Sequence, residues 1–166
     1  MATSPSRPLS AATFFRLPPL GPLPQGFVIA VGMDGEALRL QPAQKEEVFA
    51  SPLPPDPALM DLLTMILEGK ASWVAPLPPE IRPFDREVLE AVRRIPFGAT
   101  ASYSEVSRAL GRARASRAVG GALARNPLLL LIPCHRVVRG SGETGGYAGG
   151  AELKGRILAW EKERKE

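Results

Sequence analysis

The chain's single cysteine and single histidine, Cys134 and His135, stand side by side. Pro133 restricts the backbone before the thiol, and Arg136 adds a fixed positive charge two residues after it. A base that takes up a proton and a nearby cation both favour thiolate over thiol, and the thiolate is the nucleophilic form of cysteine. The segment "PCHR" therefore predicts a nucleophilic Cys134, although a lone cysteine in an apolar context is more often inert packing.

The run of four leucines before this segment predicts a buried extended stretch that leads into Cys134. Adjacent side chains on an extended stretch point to opposite sides, so His135 should not touch the sulfur directly. Transfer of the thiol proton to His135 would then need a bridging water or a kink in the backbone.

Composition narrows the class of protein. One cysteine excludes an internal disulfide, and one cysteine with one histidine cannot supply an ordinary structural zinc site, so we expect no metal and no other cofactor. No stretch approaches the roughly 20 apolar residues that span a bilayer, and the start of the chain lacks a basic segment followed by an apolar run. These features predict a globular, cytoplasmic protein with no membrane partner.

Charge is distributed unevenly along the chain. Residues 1–92 carry seven Lys or Arg and eleven Asp or Glu, residues 93–139 carry nine and one, and residues 140–166 carry five and five. All nine cations of the middle segment are arginines, whose planar guanidinium makes bidentate contacts with phosphate and guanine. The segment is a candidate nucleic-acid surface, and a solvated face of an arginine-rich protein explains the composition equally well.

The N-terminal part predicts a small sheet with a helix. Three short stretches have the composition of strands, the last two joined by a tight turn at Asp34 and Gly35: 12–17, 26–32 and 36–41. A helix is predicted from Asp56-Pro57 to Gly69. The proline-rich segment 75–83 then predicts a boundary between an N-terminal α+β domain, 1–80, with a flexible proline-rich start, and a C-terminal domain, 81–166.

The C-terminal part predicts helices. Apolar residues recur at helical spacing from Phe84 to Ile95, and two shorter helices on either side of Gly111 form the helix-turn-helix pattern. A last amphipathic helix begins near Ala151. The predicted fold class is α+β: a small N-terminal antiparallel sheet with helices, followed by a helical domain.

Two glycine-containing stretches need an explanation. Gly120 and Gly121 lie in the middle of a predicted helix that carries Arg117, and each costs about 1 kcal/mol relative to alanine. Close approach to nucleic acid and tight packing against another helix explain this pair equally well. The stretch 140–150 lacks the endings of phosphate-binding and dinucleotide-binding loops, so we expect a flexible flap whose amides and Tyr147 form one wall of a pocket.

Four segments, taken in this order and spacing, resemble the O6-alkylguanine-DNA alkyltransferase family, also called methylated-DNA–protein-cysteine methyltransferases: "IPFGATASYSEV", "SRAVGGALARNP", "IPCHRVV" and "GGYAGG". The resemblance covers residues 84–162. It implies a C-terminal domain that holds both the helix-turn-helix and the active site. It also implies DNA repair by a single, irreversible transfer of the alkyl group from O6 of guanine to a cysteine, with O4-alkylthymine an open second substrate. The implied partner is double-stranded DNA containing O6-alkylguanine, bound by a monomer in the cytoplasm, nucleoid or nucleus.

The resemblance also assigns roles at the reacting centre. Cys134 would accept the alkyl group, while His135, through a water, and Glu161 would take up the thiol proton. Tyr103 would donate a hydrogen bond to the guanine ring as negative charge develops there, and the Ala148 amide would face O6.

The remaining implied roles concern recognition of the base and the duplex. The carbonyls of Cys134 and Val137 would accept from the exocyclic amine of guanine, and Tyr147 would wall the pocket. Arg117 would enter the duplex through the minor groove and fill the gap left by the flipped nucleotide. The other residues assigned to DNA or base binding are Asn126, which would link the recognition helix to the active-site segment, and Arg136, Gly120 and Gly121.

Departures and rival interpretations remain. Leu129 lies where some members have proline and Ala148 where a polar residue is common, which leaves tolerance for larger adducts open. Neither Cys nor His precedes Cys134, so no N-terminal zinc site is expected, and from the length of the sequence we expect no added repair or regulatory domain. The rivals are a non-catalytic alkylguanine-lesion sensor on the same scaffold, a helix-turn-helix regulator and a cysteine hydrolase.

Overall fold

The computed structural model describes residues 13–16, 21–22, 27–31, 37–42, 57–72, 74 and 76–165. Three strands near the N-terminus, β1 (Thr13–Arg16), β2 (Phe27–Val31) and β3 (Ala37–Pro42), form an antiparallel sheet in the order β1-β2-β3. The predicted strands and their antiparallel pairing are confirmed. The turn predicted at Asp34 and Gly35 lies outside the described residues.

Helix α1 (Pro57–Leu67) ends before Gly69, whose φ of +72° is the left-handed conformation that favours glycine after a helix. Its side chains Leu63 and Ile66 are buried in the same apolar core as the helices that follow. The division of the chain at residue 80 therefore stays a prediction, because this core is continuous across it.

Helix α2 (Pro83–Val92) has proline at its first turn, where a missing N–H costs nothing, and Asp85 near its positive end. Three of its apolar residues, Val88, Leu89 and Val92, are fully buried, as their spacing predicts. Helix α2 therefore forms the centre of the core against which the site elements pack.

Two short helices, α3 (Tyr103–Ala109) and α4 (Ser116–Ala124), flank a turn at Gly111, which has a φ of +69°. A reciprocal capping box starts α3, since Ser102 Oγ accepts from the Glu105 amide and the Glu105 carboxylate accepts from the Ser102 amide. The predicted pair of helices is confirmed. The capping box fixes the start of α3 and therefore the position of Tyr103, its first residue.

A two-residue strand β4 (Ala101–Ser102) pairs in parallel with β5 (Val137–Val138). This pairing brings the start of α3 beside the segment that follows Cys134, across 36 positions of sequence. Helix α5 (Ala151–Arg164) then packs against the same segment. No helix among the described residues is long and apolar enough to cross a membrane.

The leucine run is buried, but the prediction that it is extended is wrong. Leu130 has a φ of +71°, the Ile132 amide donates to the Leu128 carbonyl, and the chain folds back on itself between them. The segment Cys134–Arg136 then forms a single turn of 3₁₀ helix. The physical reason is the Asn126 side chain, whose amide bonds both ends of the run and draws them together.

Candidate active site

Cys134 begins the 3₁₀ turn and is almost completely buried, with 4% of its surface exposed. It lies at a cavity of about 680 Å³. Residues from α3, α4 and the glycine-rich stretch surround it, so the cavity is formed by elements far apart in sequence. Its lining residues are Tyr103, Ser116, Arg117, Gly120, Leu123, Ala124, Cys134, Arg139, Gly146, Tyr147 and Ala148.

Burial controls the protonation of the thiol. It raises the pKa of Cys134 to about 11, and the hydrogen bond from Asn126 and the charge of Lys154 offset only part of this rise. The thiol is therefore protonated at neutral pH, and its reaction needs a group that removes the proton. His135 and Arg136, which the sequence indicated as groups that favour the thiolate, both have side chains engaged with Glu161.

The Glu161 carboxylate is the centre of a buried network behind the cysteine. His135 Nε2 lies 2.8 Å from Glu161 Oε1, and the Gly98 amide donates to Oε2 at 3.0 Å. Burial raises the pKa of Glu161, but the hydrogen bonds from His135 and Arg136 outweigh it and hold the pKa at about 2. Glu161 is thus an anion at neutral pH, and its expected part in taking up the thiol proton stays a prediction.

His135 is arranged to act as a base. Burial lowers its pKa, against the opposing effect of the hydrogen bond to Glu161, so the ring is neutral at neutral pH. With a carboxylate at Nε2, that nitrogen carries the hydrogen and Nδ1 is left with its lone pair free. Nδ1 is buried and has no hydrogen-bond partner among the described residues. This is the atom available to receive a proton.

Arg136 has a structural role in this geometry. Its guanidinium donates to both oxygens of Glu161 and to the Ile95 carbonyl, and it lies over the Phe97 ring at 5.6 Å. Its side chain is only 11% exposed. These contacts leave little of Arg136 for DNA, so its assignment to the DNA-binding residues has no support in its position.

Asn126 connects α4 to the cysteine. Its side-chain amide donates to Cys134 Sγ and to the Ile132 carbonyl, each at 3.1 Å, while its carbonyl oxygen accepts from the Leu128 amide. It is buried, at 6% exposure. Any displacement of the sulfur would therefore move Asn126, two residues after the end of α4, which is the connection predicted for Asn126.

Lys154 is the site residue that sequence reasoning missed. It is completely buried, and its ammonium donates to the Val137 carbonyl at 2.6 Å and to the Gly146 carbonyl at 3.2 Å. Burial lowers its pKa, while the negative charge that Cys134 would carry raises it. The signal was present, since Lys154 and Glu161 lie seven residues apart and share the buried face of α5.

The hydrogen bond from Lys154 uses one lone pair of the Val137 carbonyl oxygen. A carbonyl oxygen has a second lone pair that could still accept from a guanine amine. Val137 itself is fully buried and does not line the cavity.

Tyr103 and the glycine-rich stretch form adjoining parts of the cavity wall. Burial, and next the charge that Cys134 would carry, raise the pKa of Tyr103, so its hydroxyl remains a donor at neutral pH. A Cβ on Gly145, which has a φ of +69°, would lie 2.9 Å from this hydroxyl. Glycine at this position thus lets the wall close onto Tyr103. Tyr147 and Ala148 continue the wall.

The glycine pair of α4 has two different surroundings. A Cβ on Gly121 would meet the Arg125 guanidinium at 3.3 Å, because Arg125 folds back to form a bidentate pair with Asp85. A Cβ on Gly120 would meet only the Tyr103 ring, at 3.7 Å, which is ordinary contact. Gly120 lines the cavity, and packing alone does not require it to be glycine.

The predicted site residues therefore separate into two groups. Those that line the cavity are Cys134, Tyr103, Arg117, Gly120, Tyr147 and Ala148. Those that lie behind or beside it are His135, Glu161, Arg136, Asn126, Val137 and Gly121. Leu129, expected near the alkyl group, is buried and is not a lining residue.

Comparisons with known proteins agree with this geometry. The family profile described as "6-O-methylguanine DNA methyltransferase, DNA binding domain" matches residues 83–163. A Mycobacterium tuberculosis protein whose crystal structure was solved in complex with DNA is 30% identical, with a TM-score of 0.72 over 92% of this chain and 94% of that one. The chain belongs to the O6-methylguanine-DNA methyltransferase family.

Other members of the O6-methylguanine-DNA methyltransferase family match in the same way. The crystal structure of M. tuberculosis O6-methylguanine methyltransferase is 28% identical, with a TM-score of 0.76 over 93% of this chain and 95% of that one. The methylated-DNA–protein-cysteine methyltransferase of Methanosarcina acetivorans is 41% identical over 90 residues, 54% of this chain and 58% of that protein. In sequence, the match spans 26%, 58% and 43% of the length of three of the curated relatives.

Proposed function

We propose that this protein repairs DNA by accepting the alkyl group of O6-alkylguanine on Cys134. The observation that carries the proposal is the position of Cys134, which is at once a lining residue of a large cavity and the neighbour of the buried His135–Glu161 pair. A nucleophile, an unpartnered base and an anion that holds the base thus meet at one point. We further propose that residues 81–166 form the DNA-binding and alkyl-transfer domain.

The proposed step balances as a direct displacement. The Cys134 sulfur forms a bond to the alkyl carbon as the bond from that carbon to guanine O6 breaks, and the electron pair leaves with the guanine. The thiol proton passes to His135 Nδ1 through a bridging water, and the Glu161 carboxylate stabilises the imidazolium that forms. Protonation of the guanine anion then restores the unmodified base.

The wall residues have complementary tasks in this proposal. The Tyr103 hydroxyl donates to the guanine ring, and the Ala148 amide faces O6, so both stabilise charge that develops on the leaving base. The carbonyls of Cys134 and Val137 select guanine through its exocyclic amine, and the Tyr147 ring encloses the base. The product is a thioether, which has no ready route back to thiol, so each chain acts once.

Access to the base requires that it leave the DNA stack. O6 of guanine is inside the duplex, so the nucleotide must be extruded at a cost of a few kcal/mol. Helix α4 presents Arg117, which is exposed and lines the cavity, and a smooth surface at Gly120. Insertion of α4 into the minor groove, with Arg117 in the gap left by the base, would offset this cost.

The rival functions fit fewer of the observations. A lesion sensor would need no nucleophile, whereas Cys134 is adjacent to an arranged base. A helix-turn-helix regulator would explain α3 and α4 but not the cavity, and a cysteine hydrolase would not explain the arginines.

Transfer of a labelled methyl group from duplex DNA to protein tests the proposal. With excess O6-methylguanine duplex, we expect a rapid phase that ends at about one methyl per chain, with the label on Cys134 in a peptide map. Cys134→Ala should abolish transfer and keep duplex affinity within a few-fold, because the arginines of α3 and α4 are unchanged. Transfer by the variant, or turnover beyond one equivalent, would contradict the mechanism. The same assay with O4-methylthymine duplex decides the second substrate.

A further inference from the structure

A second arginine, besides Arg117, stands at the cavity. Arg139 follows β5 and lines the cavity together with Tyr103 and Cys134. Its Cγ lies 3.5 Å from the position that a Cβ would take on Gly145, next to the Tyr103 hydroxyl. Its side chain is 64% exposed. Arg117 and Arg139 thus approach one cavity from two different elements.

The Arg139 guanidinium has a partner that it can exchange. Its Nη1 lies 3.2 Å from Glu143 Oε2, and the Glu143 side chain is 67% exposed. The turn between them is held by the backbone, since the Arg139 amide donates to the Glu143 carbonyl and the Gly142 amide to the Arg139 carbonyl, each at 2.9 Å. Exposed ion pairs contribute little to stability, so this pair is not needed to form the turn.

Glu143 is an exception in its region. Residues 93–150 contain nine arginines and two acidic residues, Glu105 and Glu143. The Glu105 carboxylate is engaged in the capping box of α3. Glu143, paired with Arg139, therefore places a negative charge beside a cavity that Arg117 and Arg139 line, where it opposes a phosphate unless Arg139 lies between them.

We propose that Arg139 binds a backbone phosphate beside the extruded nucleotide, and that Glu143 occupies its guanidinium in the free protein. Phosphate and carboxylate are the two anions that the planar guanidinium binds in bidentate fashion, so one replaces the other as DNA arrives. This inference rests on the proposed function for the identity of the ligand and adds a positioning residue from a second element of the cavity wall, directly after β5. Glu143 then reduces affinity for DNA while it keeps Arg139 in place.

The variants Arg139→Gln and Glu143→Gln separate the two roles. Affinity for a duplex containing O6-methylguanine is measured over a series of salt concentrations, and alkyl transfer is measured with this duplex and with free O6-benzylguanine, which has no phosphate. Lys70→Gln and Glu68→Gln provide matched controls, because this exposed pair carries the same charges and does not line the cavity. Melting temperatures check that all four variants are folded.

We expect Arg139→Gln to weaken duplex affinity about fivefold and to reduce the slope of log affinity against log salt by about 0.9, the value for one phosphate contact. Its loss of transfer should be at least about threefold larger with duplex than with the free base. Glu143→Gln should raise duplex affinity about two- to threefold, and the control variants should change it less than either.

Three outcomes would overturn the inference. They are an unchanged salt slope in Arg139→Gln, equal effects of Arg139→Gln and Lys70→Gln, and weaker duplex binding by Glu143→Gln. Failure of the unaltered protein to react with O6-benzylguanine and with the duplex would instead reject the proposed function. The phosphate contact would still be tested by the salt slopes.

Discussion

The two sides of Cys134 are built in opposite ways. Behind it, His135 and Glu161 are at most 4% exposed, and every oxygen of the carboxylate has donors from His135, Arg136 or Gly98. In front of it, Arg117 is exposed, makes no ion pair with any described residue, and shares the cavity wall with small residues and tyrosines. The buried side determines how the thiol loses its proton, and the open side is left to meet a ligand.

This contrast has an electrostatic consequence. On the buried side the charges of Glu161 and Arg136 cancel, and His135 is neutral. On the cavity side Arg139 has only an exposed partner, and the Lys154 ammonium donates to two carbonyls and lies 5.9 Å from the centre of the Tyr103 ring. The cavity side therefore carries an excess of positive charge, which favours an anionic ligand.

The largest effect on stability should follow from a substitution in the buried network behind Cys134. Glu161→Gln removes the anion that pairs with Arg136, and loss of one partner of a buried ion pair typically costs about 3–5 kcal/mol. The pKa of Glu161, about 2, lies below its ordinary value of 4.5, so its stabilisation is full above pH 4.5 and is lost as pH falls toward 2. We expect the difference in melting temperature between the unaltered protein and Glu161→Gln to be large at pH 7 and to shrink as the pH falls from 4.5 to 2.

Glu143→Gln provides the control for this experiment, because Glu143 is exposed and its removal should change stability by less than about 0.5 kcal/mol. A difference for Glu161→Gln that does not vary between pH 4.5 and pH 2 would mean that packing, and not the carboxylate charge, is responsible.

An intermediate effect on stability should come from methylation of Cys134, which lies between the buried side and the open side. Methylation adds a group to a sulfur that is 4% exposed and that accepts a hydrogen bond from Asn126. Overpacking of this kind typically costs about 1–3 kcal/mol, and Asn126 transmits it to the end of α4. We expect the methylated protein to melt several degrees lower and to bind duplex more weakly.

Calorimetry before and after reaction with methylated duplex measures the effect of methylation, and Cys134→Ala treated in the same way is the control. An unchanged melting temperature in the reacted protein would refute strain at Cys134 while leaving alkyl transfer intact.

The smallest effect should come from the open side. Arg117→Ala removes an exposed side chain, so stability should stay within about 0.5 kcal/mol. Transfer from duplex should fall at least about tenfold, equivalent to about 1.4 kcal/mol, because the extruded state loses a contact; attack on free O6-benzylguanine should fall less. Arg114→Ala, also exposed but outside the cavity lining, is the matched control. Equal losses with both substrates would make Arg117 a structural residue.

Much of the fold was predictable because its signals are local. Helices α2, α3 and α4 and the strands β1 to β3 lie where periodicity, proline and glycine place them. The "SYSE" segment even contained the capping box of α3, which sequence reasoning overlooked. The leucine run was mispredicted because its composition fits a buried strand, whereas Asn126 supplies hydrogen bonds that close it into a turn.

The site was predictable in part. Cys134 and His135 were identifiable from residue type, and only the backbone between them differs from expectation, since it is a 3₁₀ turn and not an extended stretch. Glu161 and Tyr103 entered only through resemblance to a family. Arg136 was assigned to DNA binding because the sequence shows that it is positively charged. The sequence does not show that this charge is paired with Glu161.

By itself the sequence determined which reactive groups the chain has, where its helices begin and end, and that its arginines concentrate before the glycine-rich stretch. These properties depend on residues that are neighbours in the chain. Only the tertiary structure decided the protonation of the site: Glu161 reaches His135 across 26 positions, and Lys154 reaches Val137 across 17. A pKa depends on burial and on the charges within a few ångströms, and both are set by packing between distant segments. The same residues therefore give a protonated thiol with a neutral base beside it, a protonation state that the order of residues alone does not fix.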